Sequence, residues 1–209
     1  MGKITKAEQT TRTRRAILNQ ARRCFATQGY AATGTESMIA DLGITRGALY
    51  HQFGDKQGVF RVVIEETFIE IAQHIETQAQ KYETPWDQLV QGSHAFLDIV
   101  QREDIRRLVL IEAPAVLDAE TLATFDRQYG YGSLLSAIQA VVDAGELTIS
   151  DVEGFAMMMN GALEHLAVWI AQAESPTRLQ TAKALVDRFL ILHREGSISL
   201  QSSFAVEES

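Results

Sequence analysis

Residues 33–56, TGTESMIADLGITRGALYHQFGDK, decide how the rest of this chain is read. Met38, Ile39 and Leu42 predict a short helix that stops at Gly43, because glycine accepts the left-handed backbone of a helix C-cap. Ile44 plugs the turn, and Thr45 offers a hydroxyl to the free N–H groups of the next helix. That helix, residues 46–53, sets Leu49 and Phe53 four apart on one face, toward a core. Its opposite face carries Arg46, Gly47, Tyr50 and His51. Two helices joined in this way form a helix-turn-helix, whose second helix is shaped for a DNA major groove. Gly47 costs a helix about 1 kcal/mol relative to alanine, a cost that fits close backbone approach by a partner. Tyr50 and His51 can donate to phosphate or base edges. Lys56 follows Asp55 where another helix begins, and free backbone N–H groups beside a cation suit a phosphate.

The string GITRGALYHQFGDK, residues 43–56, resembles the G-V-S-x-G-x-L-Y-x-H-F-x-x-K signature of the TetR family of bacterial transcriptional regulators. ILNQARRCFATQGY, residues 17–30, is similar to that family's first helix, I-L-x-A-A-x-x-L-F-x-x-x-G-Y. The resemblance covers roughly the first sixty residues without a gap, and such a pair of motifs is specific. The chain departs from the pattern at Met38-Ile39, where Ile-Ala is usual, and at Leu42, where a small residue is usual. Gly34 replaces the usual Ser/Thr cap, and Thr33 with Glu36 is expected to form a capping box one residue earlier. The resemblance implies a homodimer that binds a double-stranded DNA operator and answers to a small-molecule effector. It also implies an effector pocket among the later helices and an intermolecular four-helix bundle made by the last two.

A net charge of −8 over 209 residues argues at first against a nucleic-acid partner. The distribution reverses this. Residues 1–61 carry ten Lys/Arg against four acids, a net of +6, and the remainder carries a net of −14. A basic segment on an acidic body fits a DNA-contacting head. Apolar residues make up 46% of the chain, which excludes a disordered class. No apolar run reaches membrane-spanning length, and no apolar core follows the basic N-terminus, so a cytoplasmic protein without membrane association is expected. The single Cys24 forbids an internal disulfide and suits a reducing compartment.

The chain carries no β-alternating pattern, so an all-α fold of about nine helices is expected. Residues 1–56 form the three-helix DNA-binding domain, 57–195 a larger ligand-binding and dimerisation domain, and 196–209 a flexible tail. Residues 1–11 read as frayed, with Lys3 and Lys6 available to DNA. The first helix then begins near Arg12, and Arg12, Arg14 and Arg15 lie near its N-terminus, the unfavourable end for cations. A long helix over about 56–82 connects head and body. Thr84-Pro85 starts the next. Residues 106–114 read as a short apolar segment broken by Pro114. A helix over 118–144 contains Gly130-Tyr131-Gly132, which either thins a crowded contact or makes room for a ligand. Ser150 and Glu153 form a capping box for a helix to about 173, apolar almost all round, and Ser175-Pro176 opens the last helix.

DNA contacts are assigned to Thr35, Thr45, Arg46, Gly47, Tyr50, His51 and Lys56. Polar residues on apolar faces, Ser93, His94, Asn160, Glu164 and His165, are the pocket candidates, with Trp86, Phe96, Phe125, Tyr129 and Met157 as walls. Phe155, Met158, Ala162, Leu166 and Trp169, with Val186, Phe189 and Leu190, are assigned to the dimer interface. Catalysis is not expected. There is no G-x-S-x-G elbow, H-E-x-x-H pair, P-loop or Cys/His cluster, and the neighbours Glu70/His74 and Glu164/His165 lack a third member. No cofactor or metal is called for. The alternative is a DNA-binding helical protein without ligand control.

Overall fold

The computed structural model describes residues 5–173 and 175–194. Nine helical rods carry the described chain: α1 Lys6–Gln28, α2 Thr35–Ile39, α3 Arg46–Phe53, α4 Lys56–Ala79, α5 Pro85–Ile99, α6 over 103–116, α7 over 119–143, α8 Val152–Ala171 and α9 Pro176–Ile191. Two rods contain π-helical stretches, Arg106–Glu112 in α6 and Asp126–Tyr131 in α7. The described residues include no strand, only an isolated bridge between Leu147 and Arg194. An all-α fold with an N-terminal helix-turn-helix is what the apolar periodicity called for. The tail expected at 196–209, and Lys3, lie outside the described residues.

The chain divides into two compact units. One comprises residues 1–73 and 99–130, the other 74–98 and 131–209. The expected division at residue 56 thus falls inside the first unit, which also takes in α6 and the start of α7.

In the first unit, Ile17, Leu18, Ala21 and Phe25 of α1 are buried at helical spacing against Met38, Ile39, Leu49, Val59, Phe60, Val63 and Ile64. Leu108, Ala113, Leu117 and Phe125 extend the same core. Each Val, Leu, Ile, Phe or Met among them contributes about 1.5–3 kcal/mol when fully covered. Phe25, Tyr30 and Phe60 form an aromatic trio with centroids 5.0–5.8 Å apart. The α1 helix starts six residues earlier than expected. Thr5 and Glu8 form a capping box, Thr5 Oγ1 accepting from the Glu8 N–H at 3.3 Å and Glu8 Oε2 from the Thr5 N–H at 2.7 Å. Arg12, Arg14 and Arg15 therefore lie beyond the first turn, where the helix dipole no longer penalises them.

Two other turns also differ from expectation. Regular α2 ends at Ile39, and the link to α3 bends through Asp41 (φ +62°) and Gly43 (φ +63°). Thr33 makes no capping box with Glu36; its buried hydroxyl donates to the Gly29 carbonyl at 2.7 Å, and Gly34 stands as the N-cap without a side-chain bond. Pro114 does not break α6. The wider π turn ahead of it shifts the carbonyls that its ring would strike, and the helix continues to Val116.

The second unit packs Trp86, Leu89 and Leu97 of α5 with Ile138 and Val141 of α7, Phe155, Met159, Leu163 and Ile170 of α8, and Ala182, Val186 and Leu190 of α9. Asp151, not Ser150, caps α8, accepting from the Gly154 N–H at 3.1 Å. Thr84 caps α5 as expected, accepting from the Asp87 N–H at 3.1 Å.

Candidate nucleic-acid interface

The α3 helix is held by one fully buried side chain, Leu49, with Phe53 half-buried one turn on. Thr45 caps it, Oγ1 accepting from the Ala48 N–H at 3.2 Å. With Leu49 inside, Thr45, Arg46, Gly47 and His51 are exposed, and Tyr50 is partly exposed beside them. The Tyr50 phenol oxygen accepts from Arg46 Nε at 3.1 Å and Nη2 at 2.9 Å, and the guanidinium also lies 5.3 Å from the ring centroid. Hydrogen bonds from Arg46, and then from Thr35, hold the Tyr50 phenol below its ordinary pKa. Glu36 faces Arg46 Nη1 at 3.8 Å, an exposed pair that water screens. A Cβ on Gly47 would meet nothing nearer than Thr45 Oγ1 at 3.9 Å, so nothing inside the chain demands glycine there.

Lys56 begins α4, its Nζ 4.2 Å from the centroid of the Tyr30 ring. Asp55 Oδ1 accepts from the Gly58 N–H at 2.6 Å, so one free N–H at this helix start is already satisfied within the chain. Six of the expected contact residues thus share the exposed side of α2 and α3, and Lys56 stands at the start of α4. Sequence reasoning missed two supports. Arg14 lies 4.5 Å over the Phe53 ring and donates to the Gln52 carbonyl at 3.5 Å, bracing the end of α3. Gly58 lets the Phe53 carbonyl come within 2.0 Å of where a Cβ would stand. A glycine three residues after an Asp cap was the available signal.

The expected pocket residues are divided between the two units. Phe125 and Tyr129 belong to the first unit, where Tyr129 donates to Glu65 Oε1 at 3.0 Å. Trp86 is buried in the second unit under the Arg194 guanidinium, 4.4 Å from its ring. Ser93 donates to the Leu89 carbonyl, His94 pairs with Asp187 at 2.8 Å, and Phe96 packs against the second core. Met157, Glu164 and His165 are exposed, and Asn160 donates to Glu164 at 3.4 Å. Among the expected interface residues, Phe155, Val186 and Leu190 are spent inside the second unit's core, because helical periodicity turns them inward. Met158 and Ala162 are exposed, while Leu166, Trp169 and Phe189 are half-buried. No cluster of three or more metal-ligating side chains occurs among the described residues. None of the described helices is long and apolar enough to cross a membrane.

Residues 17–63 match the profile of bacterial regulatory proteins of the tetR family, and residues 86–191 match the tetracyclin repressor-like C-terminal domain. The transposon Tn10 TetC protein of Escherichia coli is 21% identical over 192 residues, 90% of this chain and 92% of that one. The HTH-type transcriptional repressor AcnR of Corynebacterium glutamicum is 34% identical over 70 residues, which are 34% of this chain and 37% of that one. The crystal structure of a TetR-family transcriptional regulator from Pectobacterium atrosepticum superposes with a TM-score of 0.79 at 28% identity, covering 93% of this chain and all of that one. A basic helix-turn-helix followed by a matching C-terminal domain leaves one conclusion: this chain belongs to the TetR family and is a DNA-binding transcriptional regulator.

Proposed function

We propose that the protein is a homodimeric repressor that reads a near-palindromic operator and is released from it by a small-molecule effector. The observation that carries this reading is the Arg46–Tyr50 pair, laid on the exposed side of a helix anchored by Leu49. A guanidinium fixed in plane matches guanine O6 and N7. Gly47 beside it leaves the backbone free to approach, and Thr35, Thr45, His51 and Lys56 supply donors for phosphates or base edges.

Dimerisation is supported by the outward faces of α8 and α9. Met158, Ala162, His165 and Val168 on α8, and Ala184, Leu185 and Arg188 on α9 with its C-cap Leu192, are exposed at helical spacing. Met158, Leu185 and Leu192 are 50–58% exposed. Apolar side chains repeated along two adjacent helices suit a self-complementary four-helix bundle. Effector control is supported by the match to a repressor-type C-terminal domain over 86–191.

The reading is tested by footprinting the purified protein on DNA upstream of its own coding sequence. Two protected half-sites about one helical turn, 34–36 Å, apart are expected. A small-molecule panel followed by Trp86 and Trp169 fluorescence should include compounds that also lower DNA affinity. A monomer that protects no site would end this proposal.

A further inference from the structure

Glu112 closes the π-helical stretch Arg106–Glu112, and its carboxylate is only 16% exposed. Oε2 accepts from the Tyr30 N–H at 2.8 Å, and Oε1 faces Arg107 Nε at 3.5 Å. Arg107 Nη1 in turn donates to the Thr27 carbonyl at 2.8 Å. These two acceptor and donor groups flank Gly29, the C-cap of α1, where φ is +84° and a Cβ would stand 2.5 Å from Glu112 Oε1. The guanidinium thus satisfies a carbonyl that the helix end leaves without a partner, and the carboxylate takes the N–H of the residue after the C-cap. The π geometry is what pairs them. A π-helix closes i→i+5 bonds, so residues five apart lie one turn apart, whereas an α-helix shares a face between residues three or four apart.

Tyr30, held by its backbone, carries Lys56 on its ring. The ring packs against Phe25 and Phe60, with centroids at 5.8 and 5.0 Å, and the Lys56 ammonium sits 4.2 Å from its centre. We infer that Glu112 is a positioning residue for DNA binding: it anchors Tyr30 from a helix outside the helix-turn-helix and so sets where the Lys56 ammonium meets the phosphate backbone. The inference rests on Lys56 being a phosphate contact.

The test is binding of the full chain to a mixed-sequence DNA duplex over a range of salt, followed by fluorescence anisotropy. Each phosphate contact adds about one to the slope of log K against log salt. Lys56→Ala is expected to lower the slope by about one, Glu112→Ala by the same amount, and the double variant by no more than either alone. Glu112→Gln keeps an acceptor for the Tyr30 N–H and is expected to restore the slope. Should Glu112→Ala fail to fold, Arg107→Ala at the more exposed partner reads the same slope. A Glu112→Ala slope equal to wild type while Lys56→Ala falls, or a double variant that loses two, overturns the positioning role alone. A Lys56→Ala slope equal to wild type removes the contact itself and overturns both.

Discussion

The phenol oxygen of Tyr50 accepts two hydrogen bonds from the guanidinium of Arg46, one turn earlier on α3, at 3.1 and 2.9 Å. The hydroxyl therefore fixes the plane of a side chain that would otherwise sweep through several rotamers. Tyr50→Phe keeps the ring but frees the guanidinium. Discrimination between a selected operator and a mixed-sequence duplex should fall by about 1–3 kcal/mol, the worth of a bidentate base contact. Stability should change by less than about 0.5 kcal/mol, since the site is at the surface. Competition binding with both duplexes checks this. Equal weakening on the two would assign Tyr50 to the phosphate backbone instead.

Apolar spacing was enough to place the rods, because buried positions 17, 21, 24 and 25 mix odd and even numbers and can share a face only in a helix. Features that depend on a partner distant in the chain were not legible. Thr33 is next to a helix start, yet the Gly29 carbonyl takes its hydroxyl. Pro114 reads as a stop, yet a π turn ahead of it lets the helix run on. In α8 the pattern is apolar on nearly every side, so it marks a buried helix without saying which side meets its own chain. Phe155 turned inward and Met158 outward. The Gly130-Tyr131-Gly132 run lies at the end of a π stretch, where a Cβ on Gly130 would meet Asp126 Oδ1 at 2.7 Å.

Two glycines, Gly47 in α3 and Gly58 in α4, should respond in opposite ways to alanine. At Gly47 the space around a Cβ is open, so Gly47→Ala should stabilise the fold by up to about 1 kcal/mol, the helix-propensity difference. DNA affinity should nonetheless drop, because the methyl occupies the side of α3 left clear for a partner. At Gly58 a Cβ would fall 2.0 Å from the Phe53 carbonyl, which is backbone and cannot swing aside. Gly58→Ala should cost about 1–3 kcal/mol, the range for overpacking. Thermal unfolding and duplex binding of both variants decide the matter. A Gly47→Ala protein that binds as wild type would leave no reason for glycine at that position.

Leu185 is 50% exposed on α9, and Leu190, five residues on, is fully buried. Leu185→Glu should therefore yield a folded monomer with unchanged helicity, and its DNA affinity should fall because two half-sites are no longer engaged together. Leu190→Glu should instead unfold the second unit, since a charge would enter its core without a partner. Sedimentation velocity with circular dichroism separates the outcomes. A Leu185→Glu protein that remains dimeric would move the interface away from this face.

Asp104 lies in a closed ring of charge that ties α1, α4 and α6 of the first unit. Arg22 Nη2 reaches it at 3.0 Å and Arg102 Nη2 at 2.9 Å, while Glu70 faces the same two guanidinium groups at 2.5 and 2.7 Å. Burial pushes the Asp104 carboxyl up, and the hydrogen bonds and charges of Arg102 and Arg22 more than reverse this, leaving it below its ordinary value of 3.8. A carboxyl whose pKa is depressed by folding stabilises the native state above its unfolded value, and that stabilisation disappears as pH falls through the folded value. Asp104→Asn should thus cost roughly 1 kcal/mol near neutrality, a modest figure because the side chain is about a third exposed and water screens the ring. The gap from wild type should begin to close as pH falls past the ordinary value of 3.8, and should vanish only below the lower folded value, where the native carboxyl is neutral too. It should shrink in high salt as well. Urea unfolding of the two proteins at neutral and acid pH measures it. A gap of equal size at both would mean that Asp104 holds its neighbours through shape rather than charge.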